Sequence, residues 1–261
     1  MNVWDWEPSV VAGCAVLALA YIGLVRKRDW SRAPYFLAGI VLLLLDLVSP
    51  IDTLADQYLL SAHILQHFLL ALVIPPLLLM GTPQWLAAQA LERPLCRRIE
   101  RVIGQPPLSW LLGVGAMLAW HIPLLFNAAL ANDALHVAQH LSFLVTGTIF
   151  WWPILGPLQE RRLPVLGAVS YLFSACACCS LLGAFLTFGP VGLYPAYLNP
   201  PLPNVWGLDP KSDQQLAGLL MWVPGCFVYL AGILSTIRHW YSGAEGARRE
   251  TFPGYFAGPS Q

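Results

Sequence analysis

The chain has 261 residues, 57% of them hydrophobic and only 11% charged, with a formal net charge of zero. Soluble domains carry roughly 25% charged residues, so the composition excludes an ordinary soluble domain, and the zero net charge gives no reason to expect a nucleic-acid partner. An all-α, polytopic membrane protein remains, with one bundle over 1–242 and a tail over 243–261 that is expected to be disordered.

Seven segments approach the ~20 apolar residues needed to cross hydrocarbon. They are long continuous runs, which predict helices rather than the short alternating strands of a barrel. The first, 9–25, follows Asp5 and Glu7 rather than the basic start of a cleavable signal, and reads as a retained helix. The second, 33–50, carries Asp46 late in the span. A lone carboxylate at such a depth costs about 2.5–3.5 kcal/mol, so Asp46 faces a wet or metal-bearing cavity or reaches water at the helix end. Asp52 and Asp56 sit in the short turn before the third segment, 55–79, which holds His63 and His67.

Basic and apolar residues then alternate near 91–103, the pattern of a short interfacial helix lying against anionic lipid. The fourth segment, 108–126, has His121 near its end. The fifth, 134–155, opens at Asp133, read as its cap, and holds His136 and His140. The sixth, 164–188, carries Cys176, Cys178 and Cys179, of which the first and last share a helix face. A long Pro- and Gly-rich stretch, 189–213, contains Tyr194, Tyr197 and Trp206, and either connects two spans plainly or folds over the mouth of the bundle. The seventh segment, 214–237, follows Asp213 and has Met221 two turns in.

The basic residues set the orientation. Arg26, Lys27, Arg28, Arg32, Arg93, Arg97, Arg98, Arg101, Arg161, Arg162, Arg238, Arg248 and Arg249 all fall on one side, and Lys211 alone on the other. The positive-inside rule puts the N-terminus outside and the C-terminus in the cytoplasm. Five of the six histidines then lie near the outer face, about 3–15 Å below it at 1.5 Å per residue. His239 is the exception, an interfacial residue on the cytoplasmic side.

Two of the histidine pairs are spelled alike, His63-Ile-Leu-Gln66-His67 and His136-Val-Ala-Gln139-His140. A spacing of four puts both imidazoles of a pair on one helix face. Ionisable groups within a membrane are costly and mark function. Neutral imidazole suits copper, zinc, iron and nickel. His63, His67, His121, His136 and His140 are therefore candidate metal ligands, with Met221, Asp46 and Asp213 as weaker candidates. A thioether from Met221 beside imidazoles suits Cu(I). The six cysteines form no disulfide framework, which belongs to short secreted chains.

Ser49-Pro50-Ile51-Asp52, His63-x-x-Gln66-His67, Trp120-His121-x-Pro123, His136-x-x-Gln139-His140 and Asp213-Gln214-x-x-Ala217-Gly218-x-x-Met221-Trp222 resemble, in this order, the CtaG-like family of multi-span cytochrome c oxidase assembly factors. The resemblance runs from about residue 40 to 240 and departs at Gln139, where the family often has Glu. It implies a bacterial plasma-membrane protein, surrounded by lipid and not itself an enzyme. Its expected role is to mature a haem-copper oxidase by handling copper, with an oxidase subunit or a copper chaperone as partner. Two alternatives stand beside it. Facing histidines on segments three and five suit a haem-bearing oxidoreductase, although paired i, i+4 imidazoles fit a compact ion better. A copper transporter would need polar or sulfur ligands continuing inward, where the span-six cysteines and Met80 are the main ones.

Overall fold

The computed structural model describes residues 4, 6–26, 28, 30–199 and 207–251, the last ten of these by backbone alone. Lys27, the prolines of 200–203, Trp206 and the tail beyond Thr251 lie outside the described residues. Those described are helical, with no strand among them. In chain order the helices are α1 (Pro8–Val25), α2 (Ala33–Val48), α3 (Pro50–Gln57), α4 (Leu60–Phe68), a π turn (Leu69–Val73), α5 (Ile74–Gly81), α6 (Gln84–Glu92), α7 (Pro94–Ile103), α8 (Pro106–Trp120), α9 (Pro123–Leu130), α10 (Asp133–Leu155), α11 (Val165–Phe188) and α12 (Pro210–Thr251).

Four of these pieces are long and apolar enough to cross a membrane: α1, Leu60–Gly81, α11 and Pro210–Tyr241. The number rises to six if α2 with α3, bent by 46°, and α7 with α8, bent by 73°, each count as one span. Helix α10 is not among them, although it is 23 residues long; its histidine pair, Gln139, Ser142, Thr146 and Thr148 dilute its apolar character.

Proline places most of the breaks. The segment expected over 33–50 stops at Val48, where the Ser49 hydroxyl accepts from the amide of Ile51 and Pro50 opens α3. The segment expected to begin at 55 accordingly starts at Leu60. The segment expected over 108–126 ends at Trp120, with His121 as its C-cap and Pro123 starting α9. Pro is well suited to the first turn of a helix because its missing N–H is not needed there. Asn132, not Asp133, caps α10, its side chain accepting from the amide of Leu135 at 3.0 Å.

The bundle is built around α4–π turn–α5. More than half of this piece is buried, against 17% to 33% for the three other single spans. It packs on α2, α10 and α12, while α8 closes against α10 and α11 against α12. The π turn precedes Pro75, which has no N–H to offer the carbonyl of Ala71. That carbonyl instead abuts α10 at Gly147, where a Cβ would stand 2.6 Å from it. Large apolar side chains such as Leu124, Leu166 and Phe188 cover the outside and are more than three-quarters exposed, as a lipid-facing surface requires. At the basic end, Arg161 pairs with Glu100 of α7. Helix α12 runs on past 242 to Thr251.

Candidate metal centre

Helices α4 and α10 turn their histidine pairs toward each other. One ring nitrogen from each of His63, His136 and His140 lies within 4.8 Å of the other two. His63 is fully buried and the other two are half-buried. The ring centroids stand 5.2 Å (His63–His136), 6.1 Å (His63–His140) and 4.2 Å (His136–His140) apart. Nε2 of His136 and Nε2 of His140 are buried without a hydrogen-bond partner among the described residues. Buried polar nitrogens are normally satisfied, so such a cluster suits a metal ion. His136 is also the outward edge of the group, with Nε2 3.6 Å from Asp56 Oδ1 in the last turn of α3.

The orientation of His63 is set from outside its own helix. Tyr197, in a short 3-10 turn (Pro195–Tyr197), donates to the carbonyl of Ala55 at 2.7 Å. Its oxygen is 2.8 Å from His63 Nδ1. With the tyrosine proton used on Ala55, Nδ1 of His63 is the donor, and Nε2 carries the lone pair. Burial, and then the Asp56 and Asp213 carboxylates, hold the Tyr197 hydroxyl well above its usual pKa, so it remains a donor. The stretch over 189–199 therefore does cover the histidines: Tyr194 and Tyr197 are both buried, and Tyr194 donates to the carbonyl of His121 at 2.8 Å.

His67 and His121 stand apart from the three-imidazole group. His67 Nε2 meets His63 Nε2 at 2.9 Å, and since the lone pair belongs to His63, His67 donates. Its Nδ1 is left without a partner among the described residues. His121 donates from Nδ1 to the carbonyl of Met117 at 2.6 Å, which leaves its Nε2 in the same condition. Met221 is buried beside them.

The two carboxylates named as weaker candidates behave differently. Asp213 uses both oxygens to cap α4, accepting from the amides of Leu60 (2.7 Å) and Ser61 (3.1 Å) and from the Ser61 hydroxyl (2.5 Å). The start of its own helix is capped instead by Asp209, which accepts from the amides of Lys211 and Ser212. Asp46 is fully buried, and neither carboxyl oxygen has a hydrogen-bond partner among the described residues. It is outside the three-imidazole group. Gln66, between the two histidines of α4, donates to the Asp46 carbonyl (3.1 Å) and to Asp52 Oδ1 (2.7 Å), tying α4 to α2 and α3.

Of the sulfur residues in span six, Cys176 lies with its Sγ 3.5 Å from that of Cys226 on α12, and Cys179 donates to the Met221 carbonyl. All six cysteines are free thiols. Trp120 is pinned to α10 by a 2.7 Å hydrogen bond from its indole N–H to Ser142. Sequence reasoning named Tyr197 in the covering stretch and Gln66 in the repeated motif without giving either a role, and it missed Met117. The repeated Gln of the two His pairs was the available signal for Gln66; nothing local marks Met117.

An all-helical protein with several membrane-length helices and a buried imidazole cluster is the class that fold and site define. Residues 13–243 match the cytochrome c oxidase caa3 assembly factor family, and the chain belongs to that family. It is 26% identical over 263 residues to an uncharacterised protein of Mycobacterium leprae and 25% identical over 264 residues to uncharacterised proteins of Mycobacterium bovis and Mycobacterium tuberculosis. Each alignment covers 92% of this chain and 40% of the relative, so the chain spans about two fifths of the curated relatives it matches. No solved structure matches it.

Proposed function

We propose that the chain is a seven-span plasma-membrane assembly factor that holds copper at buried imidazoles beneath the outer face and hands it to a haem-copper oxidase subunit, with no turnover of its own. The observation that carries this reading is the approach of His63, His136 and His140 to within 4.8 Å, with Nε2 of His136 and of His140 buried and without a hydrogen-bond partner among the described residues. Three imidazoles with one side toward Asp56 and the surface are a donor set from which an ion can leave, since no fourth His, Cys, Asp or Glu among the described residues joins the group. The near-exclusive placement of Lys and Arg at the opposite end supports the N-out orientation and the outer-leaflet depth. Family membership supports the oxidase as recipient.

Replacing His63, His136 and His140 together by alanine is expected to remove about one bound copper per chain, because a three-imidazole set has no substitute once its ligands are gone. Oxidase maturation in the parent cell is expected to fail with it. Elemental analysis of protein purified without oxygen, with a visible spectrum, checks the first, and the oxidase copper content of membranes checks the second. Unchanged copper and unchanged oxidase overturn the reading; iron with a Soret band replaces it with a haem protein.

Tyr197→Phe is a milder test of the same site. It removes the hydroxyl that orients His63 while keeping the ring, and partners of that kind are worth about 10–100-fold in metal affinity. A loss of roughly tenfold in copper affinity, with the thermal midpoint little changed, is the expected result of a competition titration.

A further inference from the structure

We propose that His67, His121, Met117 and Met221 form a second subsite, one helical turn along α4 from His63, that takes a soft monovalent cation, Cu(I) above all. This rests on the copper-handling reading and divides its site in two. A cavity of about 10 Å³ lies between α4, α8, α10 and α12, lined by these four side chains with Ile64 and Phe143 among others. That is the room of about one water-sized sphere, enough for a bare ion and too little for a small organic molecule.

The donors around it are matched in kind. His67 and His121 are almost fully buried, with ring centroids 5.8 Å apart. The hydrogen bonds that each ring makes at its other nitrogen leave the lone pair on His67 Nδ1 and on His121 Nε2, the two atoms without partners among the described residues. A ligating imidazole usually gives its other N–H to a carbonyl or a similar acceptor; His121 gives its own to the Met117 carbonyl, and His67 gives its own to His63 Nε2. Met117 and Met221 supply thioethers and are themselves buried. Two imidazoles with two thioethers are a soft, uncharged set that favours Cu(I) over Zn(II) or Cu(II). Water is a poor occupant of the same space, because it needs two to four polar partners and a thioether is only a weak acceptor. Packing alone explains two buried methionines; it does not explain two orphaned imidazole nitrogens on the same cavity.

The subsite is distinct from the three-imidazole group, which includes neither His67 nor His121. His67 nevertheless touches both: its Nε2 hydrogen lies on the His63 Nε2 lone pair, so an ion at His63 displaces that hydrogen bond, while His67 Nδ1 stays open for the cavity.

The test is an anaerobic Cu(I) titration of the full chain against a colorimetric chelator, with X-ray absorption at the copper edge, on the wild type, on Met117→Leu/Met221→Leu, and on the triple alanine variant of His63, His136 and His140. Leucine keeps the volume of methionine, so the fold is retained. The wild type is expected to bind about two Cu(I) per chain, with copper–sulfur scattering that requires the thioethers. The methionine variant is expected to bind about one and to lose the sulfur signal, and the triple alanine variant to bind about one and to keep it. A sulfur signal that persists in the methionine variant belongs to the cysteines and overturns the subsite, as does an unchanged stoichiometry. A wild type that binds one ion, lost only in the triple alanine variant, overturns the subsite and leaves the proposed function standing. A wild type that binds no Cu(I) overturns both.

Discussion

Asp213→Ala is expected to destabilise the protein by about 3–5 kcal/mol, a larger loss than any single imidazole substitution. Helix α4 starts at Leu60 behind Leu59, a residue with no side chain able to cap it, and the carboxylate of Asp213 does so from 152 residues away. Both amides are buried, at 2% and 4% exposure. A buried donor left unsatisfied costs about 1–3 kcal/mol, and two amides and a hydroxyl lose their acceptor together. The negative charge also sits at the positive end of α4, and its removal takes away that favourable field. Asp213→Asn keeps one acceptor oxygen and is expected to lose only about 1–2 kcal/mol. Thermal unfolding in detergent measures the series; a fall of roughly 10 °C for the alanine variant corresponds to the expected energy. If the two variants unfold together with the wild type, the cap contributes nothing. Because His63 lies in the first turn of α4, the alanine variant should also lose copper, although Asp213 is not a ligand.

Gly218→Ala is expected to cost about 3 kcal/mol by forcing α12 away from α11. A Cβ at Gly218 would meet Thr187 Oγ1, would stand 2.5 Å from the amide nitrogen of Thr187 and would stand 2.6 Å from the carbonyl of Gly183. Two of these three neighbours are backbone and cannot rotate aside. Small residues at such a crossing let two helices approach closely where no hydrophobic effect drives them together. Gly225→Ala on the same helix is the control. Its added methyl has Cys179 Sγ as nearest neighbour at 3.5 Å, an ordinary contact, and alanine's better helix propensity makes the change neutral or slightly favourable. Met221 is three residues from Gly218, so the displacement should reach the histidine–methionine cavity as well. Equal midpoints for the two glycine variants would show that the crossing tolerates a methyl.

Three of the helices were legible to within a residue of each end. The expected 9–25, 134–155 and 164–188 differ by one residue from Pro8–Val25, Asp133–Leu155 and Val165–Phe188. The breaks at Ser49, His121 and Leu69–Val73 were not, because apolar composition continues straight through them while a hydroxyl, a proline or a wide turn redirects the backbone. The histidine pairs were legible from their i, i+4 spacing. Their division into three and two was not, since it depends on how far α4, α8 and α10 are rotated about their own axes. The same holds for Met117, which reaches the cavity from α8, and for Asp213, whose partner is set by the tertiary approach of α12 to α4 and not by its place at the start of a helix.

The turn Pro195–Tyr197 joins two things that the helices keep apart. Tyr197 holds the ring of His63, and Tyr194, three residues earlier, holds the backbone of His121. Phe126 fills the space between, 4.2 Å from the Tyr194 ring and 4.9 Å from that of His63. Thermodynamic linkage between two positions on one such element is reciprocal. An ion that binds at His63 more tightly with the turn seated raises the seated population felt at His121, and an ion at His121 returns the same factor to His63. Filling of one position then favours filling of the other, a coupling whose setting lies in residues 194–197, which ligate nothing.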